Sequence, residues 1–495
     1  MYECDRGDVR ACIVPLPSSR GIRCVSSKGV RMFLETIKAE GLAHLSYLLG
    51  DESNGVCAVI DPRRDVDVYL EHARRHNVRI THILETHIHA DFVSGSLELH
   101  AATGAPIFVG ETSEYGFEHK ALREGDSLSL GSLTIEVLHT PGHTPEHVCY
   151  LVSGGKGSVE RWALFSGDTL FAGEVGRPDL LGHDRAQELA RALYHTLHDK
   201  LLKLGDEVEV YPAHGQGSPC GGSIGDRNTS TIGYERLHNP KLQIKDEATF
   251  IEAVLSDLPP APFYYPRMKK VNAQGPALTR CLPRVLPVDA RTFHEEMKKP
   301  GTVIVDTREI EAFGGGHIAG SLSIALRGEF PQWAGWMLEA DARVLLVLSD
   351  DDKLDEVERH LLRVGFENIA GYLQQGMRGW FEAGLPFERT YEMSVQELHE
   401  KLSTATNSFQ VLDVRRDDEW NEGFISTARH LFAPYLTKHL DVVEKGKPVV
   451  VYCGSGYRAS VAASVLQQNG FTDVCSVPGS MAAWKAAGYT TVKPN

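Results

Sequence analysis

The feature that most constrains this chain is a C-terminal half that repeats itself. "TVIVDTREIEAFGGGHIAGSLSIAL" at 302–326 aligns with "FQVLDVRRDDEWNEGFISTARHLFA" at 409–433, setting Asp306 and Arg308 opposite Asp413 and Arg415. "RVLLVLS" and "RHLLRVGFENIAGYLQQGMRGW" then align with "PVVVYCG" and "SVLQQNGFTDVCSVPGSMAAW". Two copies of roughly a hundred residues, each alternating strand and helix, are two small α/β domains; the period is far too long for a solenoid. A chain of 495 residues has room for one more domain before them.

The copies part at one loop. In "VVVYCGSGYRAS" an apolar strand ends on Cys453, and a glycine-containing loop opens a helix near Arg458. That geometry turns backbone N–H groups toward the sulfur. Helix dipole and arginine then favour an anion, so the thiol is expected to ionise readily. A buried structural cysteine is the plain alternative. The first copy has Leu348 opposite Cys453 and continues "SDDDKLDEVER", where Asp350, Asp351 and Asp352 would repel such an anion. The C-x-x-G-x-R loop with Asp413 and Arg415 upstream resembles an active rhodanese domain, which implies that Cys453 carries a sulfane sulfur. By the same likeness 285–390 is a catalytically silent copy with a spacing or docking role. Its partner 391–495 departs only mildly, with Phe424 where the first copy has His317.

The N-terminal half alternates short strands and helices. "VCAVID" reads as a strand stopped by Pro62, "DVDVYLEHARRHN" as a helix capped by Asp65, and "RITHIL" as a strand again. Strands are also expected at "PIFVG", "SLSL", "LTIEVLH", "HVCYLV" and "RWALFSGD", and a helix at 184–203. Polar residues gather where these strands end, in "THIHADF" (His87, His89, Asp91), "TPGHTPEH" (His143), "FSGDTL" (Asp168) and "YPAHG" (His214). A lone histidine is usually a hydrogen-bonded core or surface residue, but four strand-end motifs together point to a metal site. An αββα sandwich places such residues convergently.

These segments resemble the metallo-β-lactamase superfamily over about 32–240, whose two-zinc members carry HxHxDH. Here Phe92 follows Asp91 and cannot coordinate, so a single metal is expected, with Asp91 and His214 as hydrogen-bond partners behind the ligands. Two imidazoles and a carboxylate suit non-haem Fe(II) that activates dioxygen, and equally a catalytic zinc; ligand chemistry alone leaves both open. "SGDTLFAGEVGRPDL" and "YPAHGQGSPCGG" add a resemblance to the persulfide dioxygenase branch. That likeness implies one Fe(II) held by His87, His143 and Asp168, with His89 behind them. Arg177 is expected near an anionic substrate, or else in an ion pair with Asp179 or Glu174. Cys220 reads as structural.

The whole layout resembles persulfide dioxygenase–rhodanese fusions. It implies oxidation of a glutathione, coenzyme A or similar persulfide by O2 to sulfite, with Cys453 passing sulfur to sulfite to give thiosulfate. The runner-up is a zinc thioester hydrolase of the glyoxalase II type with rhodanese domains attached. A non-enzymatic sulfur relay is the third reading; an open three-ligand site argues against it.

Composition sets outer limits. A formal charge of −15 with no basic stripe argues against a nucleic-acid partner, and no apolar run is long enough to span a membrane. Nine unpatterned cysteines read as reduced thiols, making the cytoplasm the expected location. Residues 1–31 read as an extension, since Met32 opens the first helix-like pattern of a domain running to 257. Seven prolines in 258–287 break periodic structure and mark a linker, 258–284, whose aromatics should pack on a domain surface. A homo-oligomer stays open.

Overall fold

The computed structural model describes residues 23–27, 30–111, 114–154, 160–222, 224–256, 258–404 and 408–494. Two sheets face each other in the N-terminal half. One has seven strands in simple sequence order, from Arg23–Ser27 to Lys120–Leu122; the other has six, from Ser127–Leu130 to Ser230–Thr231. Their inner faces supply Leu45, Tyr47, Leu49, Ile60 and Leu84 on one side and Ile135, Val137, Tyr150 and Phe165 on the other, all buried in one cluster. Helices cover the outer faces. Tyr69, Ala73 and Leu99 pack on the first sheet, while Ala190, Leu193 and Phe250 pack on the second. This is the expected αββα sandwich.

Each C-terminal copy has a five-stranded parallel sheet. In order across the sheet, the first runs Pro287–Val288, Ile369–Leu373, Arg343–Val347, Thr302–Asp306, Leu322–Ser323. The second repeats that order with Tyr391–Glu392, Val474–Ser476, Val449–Tyr452, Gln410–Asp413, Arg429–His430. Ser323 ties the copies together, its Oγ 2.7 Å from Ser460 Oγ and its N–H donating to Ser464 Oγ at 3.1 Å. No helix among the described residues is long and apolar enough to cross a membrane. Six cysteines among them, Cys453 included, are free.

Three expectations are corrected. Met32 lies in a strand, Val30–Ala39, and Arg23–Ser27 pairs antiparallel with it, so part of 1–31 belongs to the sheet; residues 1–22 lie outside the described residues. Pairing on both sides, with Arg23–Ser27 and with His44–Asp51, holds this segment extended against its helix-like pattern. Asp65 does not cap the helix Asp67–Arg75: Val66 stands at that position, and Asp65 instead binds Arg63 and Arg363. The proline-rich linker holds a helix, Tyr265–Gln274. Pro266 falls in its first turn, where the missing N–H costs nothing, and Tyr265, Met268 and Asn272 form its buried stripe.

Candidate metal centre and sulfur loop

The loops after four strands of the sandwich bring the polar residues together. His87 follows Arg79–Leu84, His143 follows Leu133–His139, Asp168 follows Arg161–Gly167, and His214 follows Glu209–Pro212. His87, His143 and Asp168 are buried, with ligand atoms all within 4.8 Å of one another. Asp168 Oδ2 lies 3.4 Å from His143 Nε2 and 3.7 Å from His87 Nε2.

The hydrogen bonds fix which nitrogens are free. His143 Nδ1–H donates to the Arg177 carbonyl at 2.9 Å, leaving Nε2 with its lone pair. Thr86 Oγ1–H donates to Asp61, so at 2.9 Å it can only accept from His87 Nδ1–H, and the same tautomer results. Burial, reinforced by neighbouring positive charge, pushes both histidines well below the usual imidazole range and keeps them neutral. Asp168 Oδ2 is buried without a hydrogen-bond partner. A desolvated carboxylate oxygen between two imidazole lone pairs fits a cation, and the donor set is one a single Fe(II) or Zn(II) accepts.

The surrounding residues hold this triad. His214 Nδ1–H donates to Asp168 Oδ1 at 2.6 Å and Nε2–H to Asp91 Oδ2 at 2.7 Å. Burial opposes charge on His214, but the two carboxylates outweigh it and carry its pKa up to about 10. Asp91, His214 and Cys220 also lie within ligand reach of one another. With both nitrogens given to carboxylates, however, His214 has no lone pair to offer. His89 turns away from Asp168, its Nε2 3.2 Å from Asp61 and 3.3 Å from Glu85. Phe92 is fully buried, its ring 3.9 Å from that of His44 and 4.6 Å from that of His89.

Of the two settings expected for Arg177, the structure shows the ion pair with Asp179. Its buried guanidinium forms two bonds to Asp179, at 2.7 and 2.8 Å, and one to the Pro219 carbonyl at 2.9 Å. Those bonds take three of its five N–H donors. What Arg177 contributes here is the carbonyl that orients His143. Cys220 is buried, and desolvation pushes its thiol well above the ordinary range, in keeping with a structural role.

Several residues of the site went unread. Asp61 and Glu85 each sit one residue past a strand end and obey the rule that found the others. His147, within "TPGHTPEH", accepts the Asp168 N–H at 3.0 Å; burial lowers its pKa to about 3, so it stays an acceptor. Asn272 carried no signal, because it lies in a stretch that reads as a linker.

In the second C-terminal copy Cys453 is fully buried at the end of Val449–Tyr452. Gly456 N–H points at its sulfur, 3.1 Å away, and Gly456 holds φ +114°, a conformation side chains rarely adopt. Ser480 Oγ accepts the Cys453 N–H at 3.0 Å. Arg458 lies beside the loop as expected, but Glu419 holds its guanidinium at 2.5 and 2.7 Å, so its charge is shared.

Fold and site together define a metallo-β-lactamase-type domain joined to a pair of rhodanese-type domains. The description "Metallo-beta-lactamase superfamily" matches residues 39–214, and "Rhodanese-like domain" matches 289–383 and 394–487. A solved metallo-beta-lactamase of Staphylococcus aureus subsp. aureus COL is 33% identical with a TM-score of 0.63, covering 69% of this chain and 98% of its own. The chain belongs to the metallo-β-lactamase superfamily and carries two rhodanese-like domains. The mitochondrial persulfide dioxygenase of Mus musculus is 27% identical over 52% of this chain and 91% of its own length. A hydroxyacylglutathione hydrolase of Rhizobium johnstonii is 36% identical over 34% of this chain and 62% of its own.

Proposed function

We propose that the chain is a persulfide dioxygenase with an attached sulfurtransferase. It would take a low-molecular-weight thiol persulfide, O2 and water to sulfite and free thiol. It would use Cys453 to accept the sulfane sulfur of a second persulfide, releasing its thiol, and pass it to sulfite as thiosulfate. The observation that carries this reading is Phe92, buried where a two-metal site needs a histidine, beside a complete His87–His143–Asp168 face. A single Fe(II) bound there supplies dioxygen activation and the oxidation of sulfur. The chain's own residues then have defined work. Arg177 and Thr86 aim two imidazole lone pairs, and His214 with His147 fixes the Asp168 carboxylate and backbone. Likeness to the mouse dioxygenase over half the chain supports the reading, as does the pairing with two rhodanese-like domains. On this reading His89 and Asp91 are supports, and Arg458 helps hold an anion at Cys453.

The hydrolase relative is as good a match over a shorter stretch, so the test must separate the two chemistries. Protein purified with its native metal should hold about one iron per chain and consume O2 when given glutathione persulfide or coenzyme A persulfide, releasing sulfite. About two zincs per chain, with thioester hydrolysis and no oxygen uptake, would overturn the proposal.

A further inference from the structure

The turn that carries His87, His89 and Asp91 has no regular secondary structure between Leu84 and Ser96. Its backbone groups are buried and cannot be paired in a ladder, so each needs a partner elsewhere. The lactamase-type domain supplies the near half: Asp61 accepts the Thr86 N–H at 2.7 Å, and Glu146 accepts that of Ile88 at 3.0 Å. In the far half the same domain bridges Ser94 to Arg63 and accepts the Gly95 N–H at the Pro62 carbonyl, 2.8 Å away, and the remaining bonds come from outside it. Asn272, on the helix Tyr265–Gln274, donates from Nδ2 to the carbonyls of His89 at 2.8 Å and Phe92 at 2.7 Å. Its Oδ1 accepts the Ser94 N–H at 2.8 Å. The Val93 N–H goes to the Arg363 carbonyl of the first rhodanese-like copy, 2.7 Å away.

That attachment is anchored. Arg363 binds Asp65 through two bonds of 2.7 and 2.8 Å, and both side chains are less than a tenth exposed. Phe92 and Val93 join a core that continues through Met268 and Phe366 into both copies. A histidine at 92 could have tied this end of the turn to a second cation. Phe92 cannot, and three hydrogen bonds from one buried amide hold the segment instead.

We propose that Asn272 is a positioning residue for the metal centre, and that the bridging helix with the first rhodanese-like copy acts as the outer clamp on the metal-bearing turn. This gives a copy without a cysteine a task in the other domain. The inference rests on His87, His143 and Asp168 binding a metal, but not on which reaction that metal serves.

The experiment uses the full-length, metal-free chain, titrated with Co(II) at a temperature where every variant is folded. Asn272→Asp keeps the shape but turns a carboxylate on two carbonyls; Asn272→Ala removes the clamp without that repulsion and serves where the first fails to fold. Lys270→Ala is the control, an exposed side chain on the same helix. The Asn272 variants should lose about tenfold or more in Co(II) affinity, as supports of metal ligands typically do, with shifted d–d absorption bands. Lys270→Ala should leave both unchanged. Wild-type affinity and bands in the Asn272 variants would overturn the clamp, and so would an equal loss in Lys270→Ala. Absence of persulfide-dependent oxygen uptake by the wild type would overturn the oxygenase reading while leaving the metal-affinity comparison intact.

Discussion

The two rhodanese-like copies keep one framework and differ where one strand gives way to a loop. In the first, Arg308 donates to Asp306 at 2.9 and 2.6 Å and to the Gly316 carbonyl at 2.8 Å; in the second, Arg415 repeats those contacts with Asp413 and Gly423 at the same distances. Even the mismatch of His317 with Phe424 is a conserved contact. His317 stacks on Phe313 at 3.8 Å, and Phe424 stacks on Trp420 at 3.6 Å. The loops diverge completely. One places Cys453 under the Gly456 N–H with Ser480 beneath it; the other has Leu348 buried, three exposed aspartates, and Gly376 where Ser480 stands. The buried ion pair and the stacked rings hold the fold, which leaves the loop free to gain or lose chemistry.

That division can be broken experimentally. The largest effect is expected from Cys453→Ser, which should reduce thiosulfate formation and sulfur transfer to cyanide to background while sulfite still accumulates; residual transfer would move the sulfur carrier elsewhere. Next come Arg308→Met and Arg415→Met. Each strands a fully buried aspartate and should cost about 3 kcal/mol in chemical denaturation. A large difference between them would mean the shared pair does different work in the two copies. Arg458→Ala should slow Cys453 turnover by about tenfold, less than loss of an undivided cation because Glu419 already shares the charge.

Much of this was legible because strand ends are legible. The period of two in "LTIEVLH" and the β-branched residues of "RITHIL" located strands whose loops carry His143 and His87, and the repeat displayed the fold twice. What stayed hidden depends on distant packing. Glu419, in a charge run, reads as a solvated helix start, and only the folded chain brings it to Arg458. Asn272 lies 180 residues from Phe92, in a stretch whose prolines masked a helix. Asp65 had the right type and place for a cap, yet Arg363, 298 residues on, holds it more strongly than a frayed helix end could. Ser480 was within reach, since the repeat sets it against Gly376, but only the bond to Cys453 gives that difference a meaning.

The smallest expected effect sharpens the comparison most. Leu348→Cys, placed in a Cys453→Ser background, restores a thiol to the end of Arg343–Val347, but we expect no recovery of sulfur transfer. The loop after it is built around Asp350, Asp351 and Asp352, and its short helical turn Asp351–Lys353 leads straight into the next helix. It lacks the glycine with positive φ that lets Gly456 present its N–H to the sulfur. A persulfide anion there would meet three carboxylates in place of that donor, and Gly376 offers no hydroxyl to hold the new cysteine's backbone. Recovery should therefore require grafting the whole Cys453–Arg458 loop, with Gly376→Ser beneath it. Turnover from Leu348→Cys alone, measured as thiocyanate release, would mean the strand end suffices and that the two loops differ only in their sulfur.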